Sequence, residues 1–482
     1  VTFGECKLKG KVTRFKDFNG YGFATGEDGK NYFIHVSQIL TTDFKTLEEG
    51  QEIDFKPDRS PKGLIARDVI PIGTPQISNI YTLPDGKSII KKNPFTPQDP
   101  IIDPKKFVGR RDIIVNAVDS LFNGKNVLVD GDRGIGKSSV SLQLLYMSQG
   151  EPELLERYDI KLDSEFNNAI GDHRCLPGNE LSDIVNGLIS SLYSNFGKFF
   201  TVTEKSSSFS LNSKLVNFQQ QTTSERISPS DLSNLFVASS KEFLKNVAYE
   251  TQGLTFLIDE IDVLGDKVDL ASFLKATTEK FRLDSYFSTN FIVSGVSGTA
   301  TKLIVQHPSS ERLFEHVNIP RMSNDEIRAL IDASLAGSNV SITNEAKNRI
   351  VRLSNEFPQP AHLLGYHSFR FDTDNNIDIT DINKAIRFIT SSVRRQHFQS
   401  KFDVINPGDQ TEIVRCMAAA QYEVVPMLYF RQNLVLGELD IVNALDFLIV
   451  KLEIVEKQGR DQYRFRDPLF KVYLRMLFQI DM

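Results

Sequence analysis

Val127-Leu-Val-Asp-Gly-Asp-Arg-Gly-Ile-Gly-Lys-Ser-Ser-Val140 is the stretch on which the fold of this chain turns. Asn126 to Val129 is a short apolar, β-branched run, which predicts a buried parallel strand. Gly131, Gly134 and Gly136 follow, and Lys137-Ser138 opens a helix with Val140, Leu142, Leu144, Leu145 and Met147 at its apolar positions. The spacing G-x-x-x-x-G-K-S between a strand and a helix is that of a phosphate-binding loop. Glycines let successive backbone N–H groups, including that of Ile135, face phosphate oxygens. The helix start, with Ser139 in its first turn, adds its positive end. Lys137 would neutralise the β/γ-phosphates and the Ser138 hydroxyl would ligate Mg²⁺. A glycine-rich turn that merely precedes Lys-Ser is the alternative; it leaves the flanking strand and helix unexplained.

Leu254-Thr-Phe-Leu-Ile-Asp-Glu-Ile-Asp262 supplies a second element, an apolar strand ending in carboxylates. Alone such a run is common. Paired with the loop, it reads as the second half of an ATP site: Asp259 for the Mg²⁺ shell, Glu260 to polarise the attacking water. The pair resembles the AAA+ superfamily, in particular STAND-type and origin-recognition-type ATPases. The resemblance implies that the core spans 107–322. It also implies that Phe107-Val-Gly-Arg-Arg111 brings Val108 and Arg110 near adenine, although this stretch reads equally well as a lead-in to the helix Ile113 to Phe122. Ser297 or Ser294, at the end of the strand in Phe291-Ile-Val-Ser-Gly-Val-Ser-Gly298, would be the polar sensor. Arg312 in Glu311-Arg-Leu-Phe314 would be a finger completing a neighbouring subunit's site, with a surface salt bridge as the alternative.

Composition bounds the rest. A chain of 482 residues exceeds one core, and about three domains are expected. Hydrophobic content of 40% and charged content of 24% are ordinary for a globular protein. A net charge of −6 gives no global basic field to advertise nucleic acid. Cys6, Cys175 and Cys416 are far apart and contain no C-x-x-C, which points away from zinc or disulfides and towards a reducing cytoplasm. No apolar run reaches membrane-spanning length, and the first residues read as a strand, so no membrane association is expected.

Residues 1–72 alternate with period two between Asn19-Gly20, Asp28-Gly29 and Glu49-Gly50, the pattern of a small OB-type β-barrel. Phe15, Phe18, Tyr21, Phe23, Tyr32, Phe33 and His35 are expected to crowd one face, where unpaired bases could stack. Gly10-Lys-Val-Thr-Arg-Phe15, Gly20-Tyr-Gly-Phe23, Phe33-Ile-His35 and Leu47-Glu-Glu-Gly-Gln51 resemble a cold-shock domain. Relative to that family Arg14 stands for a tryptophan and Val36 for an aromatic, which thins the platform, although the Arg14 guanidinium can itself stack. A packing or protein-docking role for these rings is the alternative.

Six prolines in 73–106, with Pro71 just before them, predict an extended linker. Strands and helices are expected at Asp172 to Leu176, Leu181 to Tyr193 and Leu232 to Tyr249, the last capped by Asp231. Thr203 to Ser230, rich in Ser, Gln and Thr, is expected to be an exposed insertion. Residues 323–395 are helical in pattern and resemble the AAA+ lid. Ala361 stands where that family often has an arginine, and His362 either substitutes for it or is packed. In 405–482, Leu452 to Arg466 predicts two strands around Gly459, and the whole resembles a winged helix. Its preceding helix, Glu438 to Lys451, is acidic and apolar, which favours a protein contact over DNA.

The expected fold is thus multidomain α/β: a parallel-sheet P-loop core with helical lid, an N-terminal barrel and a C-terminal winged helix. The function these features imply is an ATPase switch that takes ATP and Mg²⁺. It would sense single-stranded nucleic acid, work as a homo-oligomer and signal to an effector protein, in prokaryotic defence by the STAND resemblance. An ATP-dependent DNA loader of origin-recognition or transposition type, and a scaffold with structural ATP, are the alternatives.

Overall fold

Period-two alternation builds the N-terminal barrel. In the computed structural model the described residues are 7–16, 21–40, 47, 50–60, 63–72, 80–82, 88–196, 228–247, 250–283, 288–296, 298, 312–390, 404–405 and 408–480. Strands β1 (Leu8–Lys16), β2 (Tyr21–Gly26), β3 (Asn31–His35), β4 (Glu52–Ser60) and β5 (Gly63–Pro71) close in the order β1-β2-β3-β5-β4. Val12, Ala24, Tyr32, Ile34, Ile53, Phe55 and Val69 fill the interior. A bulge between Val12 and Arg14 shifts the β1–β2 register, a common device for bending a strand around a small barrel.

The chain divides into two compact units, Val1–Pro97 with Ser334–Met482, and Gln98–Ala333. In the first unit the proline-rich stretch is not a bare linker. It carries an antiparallel pair, β6 (Ile80–Thr82) and β7 (Ser88–Ile90). Residues 91–97 then lie along the helix Pro358–Phe371. Phe95 is buried against Gly365, and its ring occupies the space that a Cβ there would need. Asn93 Nδ2 donates to the Tyr366 carbonyl at 2.8 Å, and Thr96 N to His362 Nδ1 at 3.4 Å. Prolines bar this stretch from a helix, but an extended chain can still seat its side chains in a groove. His362 is accordingly a packed residue, edge-on to Phe95.

The second unit is built on a five-stranded parallel sheet. Its strands are β8 (Asn126–Gly131), β9 (Asn168–Arg174), β10 (Gly253–Asp259), β11 (Ser288–Val296) and β12 (Phe314–Asn318), in the order β12-β8-β11-β10-β9. β8 and β10 are buried throughout, as expected where helices cover both faces of a parallel sheet. Helices Leu181–Asn195, Pro229–Val247 and Leu270–Leu283 share one core with the sheet, centred on Phe236, whose ring lies 4.9 Å from that of Phe256. Helices α1 (Arg111–Phe122) and α2 (Lys137–Ser148) pack on each other and on β8.

Two local expectations are corrected here. β9 starts at Asn168 and ends at Arg174, four residues earlier than expected at its start. Asn168 reads as a turn residue, yet its amide donates to Thr255 Oγ1 inside the sheet at 3.0 Å and is satisfied there. The helix Pro229–Val247 is preceded by Ser228 rather than capped by Asp231: the Asp231 N–H donates to Ser228 Oγ at 3.2 Å. The expected insertion lies outside the described residues except for 228–230.

Beyond the sheet come helices Asn324–Leu335, Asn344–Ser354, Pro358–Phe371 and Ile379–Phe388. A two-residue parallel bridge, β13 (Ser341–Ile342) with β14 (Asn376–Ile377), is too short to leave a sequence pattern. The C-terminal segment has helices Asp409–Ala419, Met427–Asn433, Glu438–Asp446 and Pro468–Leu477, with strands β15 (Val425–Pro426), β16 (Val455–Lys457) and β17 (Gln462–Phe465). The sheet order is β15-β17-β16, and the β16–β17 hairpin turns at Gly459, which sits at φ 78° as the glycine in that turn requires. No described helix is long and apolar enough to cross a membrane.

Candidate nucleotide site and nucleic-acid face

The strand order decides which side chains meet. Because β11 lies between β8 and β10, the carboxyl ends of three strands converge on the loop after Gly131, the usual place for a ligand in such sheets. Gly134 and Gly136 have φ of 76° and 98°, a left-handed backbone that turns N–H groups inward. Gly131, at φ 155°, passes so close to Ile319 that a Cβ would sit 3.0 Å from its carbonyl. No side chain caps α2, which leaves the donors of its first turn for an anion.

Lys137 Nζ, in this arrangement, donates to the carbonyls of Gly131 at 3.1 Å and Asp132 at 2.9 Å. Burial pushes its pKa down, and the carboxylates of Asp262, Asp259 and Asp132 work against that. A half-desolvated ammonium held by neutral carbonyls gains from a phosphate. Ser138 is half-buried in the same first turn, while the Ser139 hydroxyl accepts the Ile101 N–H at 3.0 Å. Arg110 is buried and braces the loop. Its Nη2 donates to the Ile135 carbonyl at 3.1 Å, its Nη1 to the Pro320 carbonyl, and its backbone N–H to Glu326 Oε1 at 2.9 Å. Burial lowers the Arg110 pKa to about 10, partly opposed by Glu326. Val108 is half-buried two residues before it.

Opposite the loop, Asp259 is buried at the end of β10 and its Oδ1 accepts the Glu260 N–H at 2.9 Å. Glu260 has φ 58°, an uncommon backbone for this residue, and its carboxylate is met by Arg174. Arg174, in register with Asp259 at the end of β9, donates Nε to Oε2 at 2.9 Å and Nη2 to Oε1 at 2.6 Å. This two-pronged pairing raises the Arg174 pKa and occupies both oxygens of the expected base. Asp262 Oδ1 accepts the Val296 N–H at 3.2 Å, and Val296 is in register with Gly131, so the end of β11 is tied beside the loop. Ser294 Oγ is buried with no hydrogen-bond partner among the described residues. Ser297 lies outside the described residues.

These residues fit a magnesium–nucleotide. Among the described residues no group of three or more His, Cys, Asp or Glu could hold a metal. Mg²⁺ takes one or two oxygens from a protein and the rest from phosphates and water, and Ser138 and Asp259 would supply those oxygens. The structure puts Lys137, with Ser138 next to it in α2, within electrostatic reach of Asp259 and Asp262, and Glu260 directly after Asp259. It does not bring Arg312 to them. Arg312 is exposed just before β12, whose Phe314 is in register with Asn126 at the start of β8. That is the opposite end of the sheet from the loop, about 20 Å along a strand of six residues. Arg174 and Asp262 are absent from the residues expected from sequence. Arg174 was hidden by the misplaced strand, which put it in mid-strand; Asp262 follows Asp259-Glu260 closely enough to have been suspected.

In the barrel, β2–β3 pairing sets Tyr21 opposite His35 and Phe23 opposite Phe33. The Tyr21 and Phe33 rings stack at 5.6 Å, and Phe23, 43% exposed, meets Phe33 edge-on at 5.7 Å. Arg14 is exposed opposite Phe23 across β1–β2. Phe15 leans partly onto the core over Gly22, where a Cβ would come within 2.4 Å of its ring. Tyr32 is not on this face. Period-two alternation turns it inward next to Phe33, and its hydroxyl donates to Asp28 Oδ2 at 2.8 Å; Phe18 lies outside the described residues. His35 Nδ1 is 2.8 Å from Ser37 Oγ. Lys30, Arg67 and Lys56 pair with Asp28, Asp58 and Asp68, and residues 1–72 hold equal numbers of acidic and basic side chains, so the barrel has little net positive field.

Residues 8–72 match the 'Cold-shock' DNA-binding domain family. Cold shock protein 1 of Lactiplantibacillus plantarum is 50% identical over 62 residues, which are 94% of that protein and 13% of this chain. Through this N-terminal segment the chain belongs to the cold-shock domain family. Among solved structures, the Walker-type ATPase PABY2304 of Pyrococcus abyssi is similar at 15% identity with a TM-score of 0.49, covering 78% of this chain and 99% of that one. The Aeropyrum pernix ORC2 protein is similar at 12% identity with a TM-score of 0.43, covering 77% and 93%.

Proposed function

We propose that the chain is an ATP-hydrolysing switch of AAA+ or STAND type whose barrel senses single-stranded nucleic acid and which signals to a protein effector, in a prokaryotic defence setting. The observation that carries the reading is the convergence of the uncapped α2 start, half-buried Lys137 and Asp259 on one glycine-lined loop, with Glu260 next to Asp259. In this reading Ser138 and Asp259 hold Mg²⁺, which supplies positive charge to the phosphates. Lys137 leaves its carbonyl partners for the β/γ-phosphates. Glu260, once released from Arg174, accepts a proton from the attacking water. Ser294 or Ser297 orients that water from the end of β11. Helices of 323–395 act as the lid and 405–482 as a winged helix.

Among the described residues Arg312 stands at the far end of the sheet from the loop, so as a finger it acts on a neighbouring copy. Arg312→Ala should depress hydrolysis at unchanged nucleotide affinity, and mixing it with Lys137→Ala should restore part of the activity. A monomer at every concentration with ATP present, seen by light scattering, would remove this role.

Oligonucleotide binding by the full chain tests the sensing half. Single strands should bind in preference to duplex, whose bases are already stacked. The salt dependence should be shallow, about two or three phosphate contacts at ~0.7 log units each. Preference for duplex would instead favour the loader.

A further inference from the structure

The segment 91–97 meets the helix Pro358–Phe371 as an extended peptide meets a receptor. Its contacts run in order and antiparallel to the helix. The Asn93 amide donates to the Tyr366 carbonyl at 2.8 Å, the Thr96 N–H to His362 Nδ1 at 3.4 Å, and Gln359 Nε2 to the Pro97 carbonyl at 3.4 Å. Gln359, His362 and Gly365 are three residues apart, so they line one face of the helix. At Gly365 that face lacks a side chain, and the Phe95 ring fills the gap: a Cβ there would stand 2.4 Å from its Cε1. Phe95 is 1% exposed.

The inserted half is shaped in advance. The Phe95 N–H donates to Asn93 Oδ1 at 3.1 Å, which closes an Asx turn over Pro94. Proline fixes its own φ, so Asn-Pro-Phe presents the ring at a reduced ordering cost. The ring is the one deep anchor: Lys92 is exposed, and Asn93, Pro94, Thr96 and Pro97 are half-buried. Thr96 Oγ1 is buried with no hydrogen-bond partner among the described residues, a cost of the seated state that water would remove. One ring and a few neutral hydrogen bonds must outweigh the ordering of the whole segment, which leaves seating only weakly favoured.

We infer that this helix face is a recognition groove for Asn-Pro-Phe peptides, that 91–97 is its in-chain occupant, and that a protein segment with the same motif competes with it. The groove is separate from the ATP loop and from the aromatic face of the barrel, and the inference rests on neither.

A fluorescent peptide of residues 90–98, added to the full chain and read by anisotropy, is the probe. Phe95→Ala empties the groove. It should bind the peptide at least about tenfold tighter than the parent, whose own segment competes at the roughly millimolar concentration that a tether gives. The same peptide with alanine in place of its phenylalanine should bind Phe95→Ala at least about tenfold more weakly, the scale of losing a buried anchor. Phe95→Ala with Gly365→Ala should lose the peptide as well, because the added Cβ takes the place of the ring. Circular dichroism checks folding. If Phe95→Ala unfolds, Asn93→Ala, which removes only the Asx turn and the bond to Tyr366, carries the same comparison with the parent. Binding no tighter in the emptied variant than in the parent, up to about 1 mM peptide, overturns the inference. So does binding that survives the alanine peptide or Gly365→Ala undiminished.

Discussion

Glu260→Gln should leave ATP binding close to the parent's and cut hydrolysis by about 10²-fold or more, the usual scale for a lost general base. The substitution keeps the shape and removes the proton acceptor, so binding groups on Lys137, Ser138 and the loop stay as they are. Arg174 makes the test sharper. It holds both Glu260 oxygens by two hydrogen bonds, and in that pairing the carboxylate is a weaker proton acceptor for water. Arg174→Ala should therefore raise turnover in the absence of nucleic acid, whereas Arg174→Ala with Glu260→Gln should match Glu260→Gln alone. The pair is more than a third exposed on each side, so its loss should cost little stability. Phosphate release from Glu260→Gln equal to the parent's would take the base role from Glu260.

Phe23→Ala with Phe33→Ala should cost ~2 kcal/mol or more of single-strand binding, about 30-fold in affinity, at unchanged ATP turnover without nucleic acid. The two rings meet across β2 and β3 on the outer face, so truncating them removes stacking surface and leaves the interior of Val12, Ile34 and Phe55 intact. Residues 1–72 carry as many acidic as basic side chains, so the net field is weak and stacking has to supply most of the affinity. Circular dichroism on the double variant separates lost stacking from lost folding. Binding equal to the parent's would mark the face as a packing or protein surface.

Much of this was legible because local chemistry and fold agree. Gly131 to Ser138 specifies its own strand, loop and helix, and paired with that loop the apolar run ending in Asp259-Glu260 reads as a buried strand. The barrel's turns and alternation likewise announce a small β-barrel. What the sequence hid was polar satisfaction at a distance. Asn168 looks like a turn residue until Thr255 is seen to take its amide. Arg174 acquires meaning only when strand pairing sets it level with Asp259. The stretch 91–97 looks like linker because its anchor, Gly365, lies some 270 residues on, and neither Phe95 nor Gly365 advertises the other. Tyr32 was assigned to the wrong face although the period-two rule, applied strictly beside Phe33, excludes it.

In the proposed switch the barrel's ligand and the ATP site should act on one another. Phosphate release by the full chain, with and without a saturating single-stranded oligonucleotide, measures this directly. The account predicts that the single strand changes turnover several-fold in the parent, that duplex does not, and that Phe23→Ala with Phe33→Ala abolishes the response while its basal rate stays the same. Turnover that is identical with and without the single strand, in a parent shown to bind both it and ATP, would contradict the account.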